Sequence, residues 1–167
     1  NRIYLAWVDG YDNPAVNGSI VGHANPPFAE QTIVHSGYQS MPMSYDNAVG
    51  KSEATLTLTA NRDWTINGVN RLTIWFRGDS NNDAEPLYVA VSNPDGIGTG
   101  SPAIVVHDDP AAVQIAVWTQ WVIPLQTIAD QGIILTDVDK IAIGLGTQGN
   151  LTTPDRKSTR LHSSHTG

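Results

Sequence analysis

Residues 71–77, Arg-Leu-Thr-Ile-Trp-Phe-Arg, alternate without a break: Leu72, Ile74 and Phe76 fall on one side of an extended chain, Thr73, Trp75 and Arg77 on the other. Successive side chains of a strand point to opposite faces, so this period of two marks a strand with one face on a core. Asp63 to Gly68 supply the turn that precedes it. The second face carries the chemical interest. Trp75 beside Arg77 offers a flat ring and a fixed donor fork to a ligand, unless a second layer of sheet buries both.

The same period recurs along the chain. Arg2–Val8, Gln39–Tyr45, Ala54–Thr59, Leu87–Ser92, Ala103–His107, Val113–Leu125 and Lys140–Gly146 all read as strands, separated by turns rich in Gly, Pro, Asn and Asp. Tyr11 to Pro27 has no sustained period and reads as a long loop with a short strand at Ser19–Gly22. Pro42 predicts an edge or bulged strand for residues 39–45. On the strand from Lys140, Ile141, Ile143 and Leu145 take the core face, while Ala142 and Gly144 leave room on the other for a ligand or a further layer. Leu125 to Gln131 can make one helical turn, and no long helix is in view. About eight short strands without a helix predict an all-β fold, a two-sheet antiparallel β-sandwich of jelly-roll type rather than a barrel.

Composition narrows the class of partner. With 167 residues, 40% hydrophobic and 15% charged, the chain can bury a core as one domain, and it has no run of eighteen apolar residues. Its formal charge of −7 argues against nucleic acid and against an anionic membrane surface, both of which need clustered Lys and Arg; a neutral polymer fits better. The absence of Cys rules out a disulfide framework and thiolate metal sites without fixing the compartment. Because the chain starts directly in a strand-like run, we read it as a piece of something longer.

The composition breaks at Asp155. Asp155 to His165, Asp-Arg-Lys-Ser-Thr-Arg-Leu-His-Ser-Ser-His, is basic, Ser-rich and unpatterned, and it back-translates into a run that looks like a sequencing adapter read in frame. We therefore expect residues 1–154 to form the module and 155–167 a non-native, disordered tail. Without Asp155, Arg156, Lys157 and Arg160 the count falls from 9 basic and 16 acidic residues to 6 and 15, a formal −9.

Sugar recognition needs aromatic faces for C–H surfaces and planar polar groups for hydroxyls. Trp75, Arg77, Tyr88 and Trp118 supply those types, and the first three are expected on one sheet face; the alternative for each Trp is that it plugs the sandwich. Tyr45, Asp46 and Asn47, at a strand end, either present a carboxylate and an amide to hydroxyls or close the strand as an Asx turn. Asp9 and Asp12, with backbone carbonyls, are candidates for a structural Ca²⁺. His107-Asp108-Asp109 precedes Pro110 and reads as a solvated turn, and His23 and His35 lack zinc spacing. Glu30, Glu53 and Glu85 form no alternating pattern that would set a glycosidase pair across a cleft, and no nucleophile elbow or phosphate loop is present, so we expect no enzyme.

Several segments carry a resemblance: Val-Asp-Gly-Tyr-Asp-Asn from Val8, the run from Pro26 to Asn47, Ser52–Leu58, Asp63–Asp79 and Val138–Gly146. Together they resemble the galactose-binding-like jelly-roll modules, similar to carbohydrate-binding modules, of large secreted bacterial proteins of planctomycete type. The resemblance spans most of Val8 to Gly149. It implies a secreted or cell-surface, non-catalytic module that binds a polysaccharide or glycan through an aromatic and polar sheet face, with other domains of the same parent chain as neighbours. The alternative is a structural or adhesion spacer that binds no sugar; a lyase or hydrolase on the same fold comes third. The resemblance also implies a final strand after residues 143–146, often completing a calcium site, where this chain has its adapter-like tail. A sandwich lacking its last strand, with an open edge and a tendency to associate, is the resulting expectation.

Overall fold

The described residues form ten strands, most of them period-two segments, in two five-stranded antiparallel sheets packed as a sandwich. The computed structural model describes residues 6–146 and, as backbone, the strand formed by residues 159–164. The strands are β1 (Trp7–Val8), β2 (Ile20–Val21), β3 (Met41–Tyr45), β4 (Ser52–Thr57), β5 (Arg71–Arg77), β6 (Leu87–Ser92), β7 (Ala103–Val106), β8 (Thr119–Pro124), β9 (Lys140–Leu145) and β10 (Thr159–Ser164). One short helix, α1 (Leu125–Ala129), follows β8 directly. Sheet A has the order β1-β4-β9-β6-β7 and sheet B the order β2-β3-β10-β5-β8. Most consecutive strands switch sheets, the winding of a jelly roll.

Alternation decides what lies between the sheets. From sheet A, Leu87, Val89, Val91, Ile141, Ile143 and Leu145 face inward; from sheet B, Met41, Met43, Leu72, Ile74, Phe76 and Ile123 meet them. Trp121 joins this core, so one of the two Trp of the β8 region is a plug and the other is not.

The last strand departs from expectation. The sequence predicted a sandwich missing that strand and a disordered tail over 155–167; of that stretch, Thr159–Ser164 pairs with β3 on one side and β5 on the other, while residues 155–158 and 165–167 lie outside the described residues. A ladder is made by backbone groups, so a slot between two unpaired edges accepts any extended segment free of proline, and the register sets Leu161 opposite the buried Met43. β10 ends at Ser164 opposite Trp75, and among the described residues Arg71 to Ile74 of β5 pair with β8 alone. At this end of β5 lies a cleft of about 1150 Å³ whose lining includes Ser40, Leu58, Arg71, Leu72, Thr73 and Ile141.

Two local readings also change. Pro42 sits on an interior strand, between β2 and β10. Its carbonyl accepts from Gly22 N–H (2.8 Å), so its missing N–H faces the chain just past the end of β2 and costs no bond in that short ladder. The predicted long strand over 113–125 is broken: Ala112–Gln114 is a 3₁₀ turn and β8 begins only at Thr119. Phe28 to Val34 forms a loop tied by a single bridge, Glu30 to Ser40.

Candidate functional site

The outward face of sheet B carries a cluster of half-buried aromatic and polar groups. On β5, Arg71, Thr73, Trp75 and Arg77 all stand on this face, Arg71 exposed and the others half-buried. Trp118, just before β8, is half-buried on the same side, since it meets the ring system of Trp75 through a third residue, His35. The imidazole of His35 stacks on Trp75 with centroids 3.8 Å apart and planes 19° from parallel, and it meets Trp118 edge-on at 5.6 Å. Its Nδ1 is buried without a hydrogen-bond partner.

His35 is held there by an anchored loop. Glu30 and Ser40 exchange two backbone hydrogen bonds, of 3.1 and 2.9 Å, at the base of the loop. Glu30 Oε1 accepts from the N–H groups of Thr32 (2.6 Å) and Ile33 (3.1 Å), and its Oε2 lies 3.1 Å from His23 Nε2. Ser40 Oγ donates to Ile33 O at 2.6 Å. The carboxylate of Glu30 thus shapes the loop that delivers His35.

Tyr88 does not share this face. It lies on β6 in sheet A, on the far side of the sandwich, and is buried. Its hydroxyl donates to Glu53 Oε2 at 2.7 Å, and Lys51 Nζ lies 3.6 Å from the other oxygen of Glu53. Gly144 of β9 is opposite both Tyr88 and Glu53, and a Cβ there would collide with the Tyr88 ring. The room left by this small residue is filled by Tyr88 itself. Burial first, then the Glu53 hydrogen bond and charge, push the Tyr88 hydroxyl far above the usual phenol range. The expectation of one face shared by Trp75, Arg77 and Tyr88 is corrected on this ground: consecutive strands β5 and β6 belong to different sheets.

Tyr45, Asp46 and Asn47 point elsewhere as well. Tyr45 is buried in the core and donates to Asp83 O at 2.7 Å. Asp46 caps a 3₁₀ turn, its Oδ1 accepting from Ala48 N–H at 2.9 Å, as an Asx turn does. Asn47 is buried, with neither atom of its side-chain amide paired. None of the three is placed against the Trp75 cluster.

The candidate calcium ligands serve the backbone. Asp9 Oδ1 accepts from Tyr11 N–H (3.0 Å) and Oδ2 from Val21 N–H (2.6 Å), pinning the long loop to β2. Asp12 is exposed, and no group of three or more acidic or His side chains suited to a cation forms among the described residues. His107, edge-on to Phe76 (5.3 Å) and Trp121 (5.1 Å), accepts from Asp109 N–H at 3.0 Å through Nδ1, and Asp109 Oδ1 accepts from Ala111 N–H at 2.8 Å. His107 to Ala111 is a turn closed by its own side chains.

His35 had no signal in the sequence, because it enters the face from a loop without period. No family model matches the sequence, and no curated protein matches it. Solved structures do. The family 30 carbohydrate-binding module of the cellulosomal cellulase Cel9D-Cel44B of Clostridium thermocellum is similar at a TM-score of 0.58 and 16% identity, over 95% of this chain and 94% of that one. Another family 30 module gives a TM-score of 0.60 at 15% identity, over 95% of each chain. A β-1,2-glucanase from Parabacteroides distasonis gives 0.55 at 13% identity over 90% of this chain and 23% of the enzyme. No helix among the described residues is long and apolar enough to cross a membrane. At these identities the likeness shows a fold: the all-β sandwich of carbohydrate-binding modules.

Proposed function

We propose that the chain is a non-catalytic glycan-binding module of a secreted or cell-surface bacterial protein, and that the outward face of sheet B is its binding face. The observation that carries this reading is the cluster of Trp75, His35 and Trp118 beside Arg77, half-exposed on one side of a carbohydrate-binding-module sandwich. A stacked ring covers the C–H face of a pyranose, and the Arg fork addresses its hydroxyls. The absence of catalysis is supported by the use of the glutamates: Glu53 is buried under Tyr88 and Glu30 is committed to its loop.

One observation favours the spacer reading. His35 already covers one face of Trp75, so the cluster can serve simply to fasten the loop to the sheet. Affinity electrophoresis on a panel of polysaccharides separates the two. Binding predicts retardation by at least one glycan and a loss of about tenfold or more in Trp75→Ala or Trp118→Ala, roughly 1.4 kcal/mol. A folded chain that no glycan retards is a spacer.

A further inference from the structure

The charge of the chain is distributed unevenly, and the imbalance bears on what the face takes. None of the 16 acidic residues lies on a strand of sheet B, whereas the outward row of β5 begins and ends in arginine. The other described cations of the module are neutralised: Lys51 by Glu53, Arg62 by Asp137 (2.6 Å) and Asp139 (3.8 Å), Lys140 by Asp139 (3.0 Å). Among the described residues, Arg71 and Arg77 make neither an ion pair nor a side-chain hydrogen bond. Arg77 is half-buried as well, and with no acceptor among the described residues its donor fork is open to an incoming anion.

Geometry places this charge where a bound sugar would be. Two residues along a strand span about 7 Å, so the Arg77 fork stands one ring-width from the Trp75 platform on the same face. Glu30, the carboxylate at the base of the loop that covers this face, is occupied by His23 and by two backbone amides. The buried, unpartnered Nδ1 of His35 adds a further unmet polar group against Trp75. Planar forks pair with carboxylate and sulfate in a two-pronged geometry that a neutral hydroxyl cannot reproduce.

We infer that the ligand of this face is an anionic glycan, with Arg77 holding the charged substituent of a sugar whose ring packs at Trp75. This rests on the glycan-binding reading above. The negative charge of the whole chain would repel such a polymer at long range, so the recognition is local and of short reach.

The test compares the intact chain against polygalacturonate, a sulfated galactan and an uncharged galactan of similar length by isothermal titration at about 0.15 M salt, where charges beyond about 8 Å are screened. At least a tenfold preference for a charged polymer over the uncharged one is expected. Arg77→Gln should bring charged and uncharged polymers to parity, and Arg77→Lys should restore only part of the preference. Retention of polygalacturonate alone identifies a carboxylate ligand, and of the sulfated galactan alone a sulfate ligand. Equal binding of the uncharged galactan, or a preference that survives Arg77→Gln, overturns the inference and leaves the glycan-binding reading standing. A folded chain that binds none of the three, nor any polymer of the wider panel, brings down both.

Discussion

At the scale of single residues, the two aromatic hydroxyls and the two outward tryptophans show how local pattern and tertiary placement divide the work. Tyr88 was legible as a residue that leaves the core face, because Leu87, Val89 and Val91 alternate against it, and it does leave that face. What the pattern could not supply was the sheet to which its strand belongs. Its partner Glu53 is 35 positions away, and Gly144, which makes space for the ring, lies a further 56 positions beyond Tyr88. The buried hydroxyl has a consequence for stability. An unfolded Tyr ionises near pH 10, whereas the folded chain keeps the Tyr88 proton well beyond that. Above about pH 10 the unfolded state therefore sheds a proton that the folded state retains, and stability falls as pH rises. The contribution is complete below that pH. Melting curves between about pH 9 and 11.5 should fall more steeply for the wild type than for Tyr88→Phe, which is less stable at neutral pH but lacks this titration. Parallel slopes would remove the role assigned to the buried hydroxyl.

Among the elements, β5 was read from the sequence with its bounds and both faces, because its alternation is strict and its neighbours fix no exception. β6 was read equally well. The segment from Val113 to Leu125 was not, since Ile115, Val117 and Trp118 look strand-like locally while the chain there turns to hand Gly78 and Asp79 backbone acceptors at Ile115 and Val113. Strand β10 was missed for the opposite reason: its residues carry no period, and only the open slot between β3 and β5 makes them a strand. Leu125 N–H donates to Asn70 O in the register that continues β5 and β8, so Leu72 and Ile74 also direct their amides to β8. Arg71 and Thr73 direct theirs to the other side, before the described pairing of β5 with β10, which runs from Arg77 to Trp75. In amide hydrogen exchange, Thr73 should exchange at least about tenfold faster than Leu72 and Ile74, a difference of roughly 1.4 kcal/mol in protection. Uniform protection along 72–74 would mean that the slot is closed in solution.

For the whole molecule, the same opening couples fold to behaviour. Among the described residues, β5 before Trp75 pairs with β8 alone, and a strand edge beside a cleft lined by Leu58, Leu72 and Ile141 combines backbone donors with apolar surface, the combination that recruits another chain. The formal charge of −7 opposes that approach, and the opposition weakens as salt screens it. Sedimentation velocity over a tenfold concentration range should therefore show self-association that grows with ionic strength. This salt dependence runs opposite to the loss of an Arg77-held anionic glycan, which salt weakens, so the two interactions are separable in one buffer series. Thr73→Pro supplies the decisive variant. It removes the amide directed into the slot, and because that amide points away from β8 it takes no bond from the existing ladder, so the fold is retained and association is reduced. A Thr73→Pro chain that melts like the wild type and associates just as strongly would place the contact elsewhere, and would also mean that the edge of β5 is not what the cleft exposes.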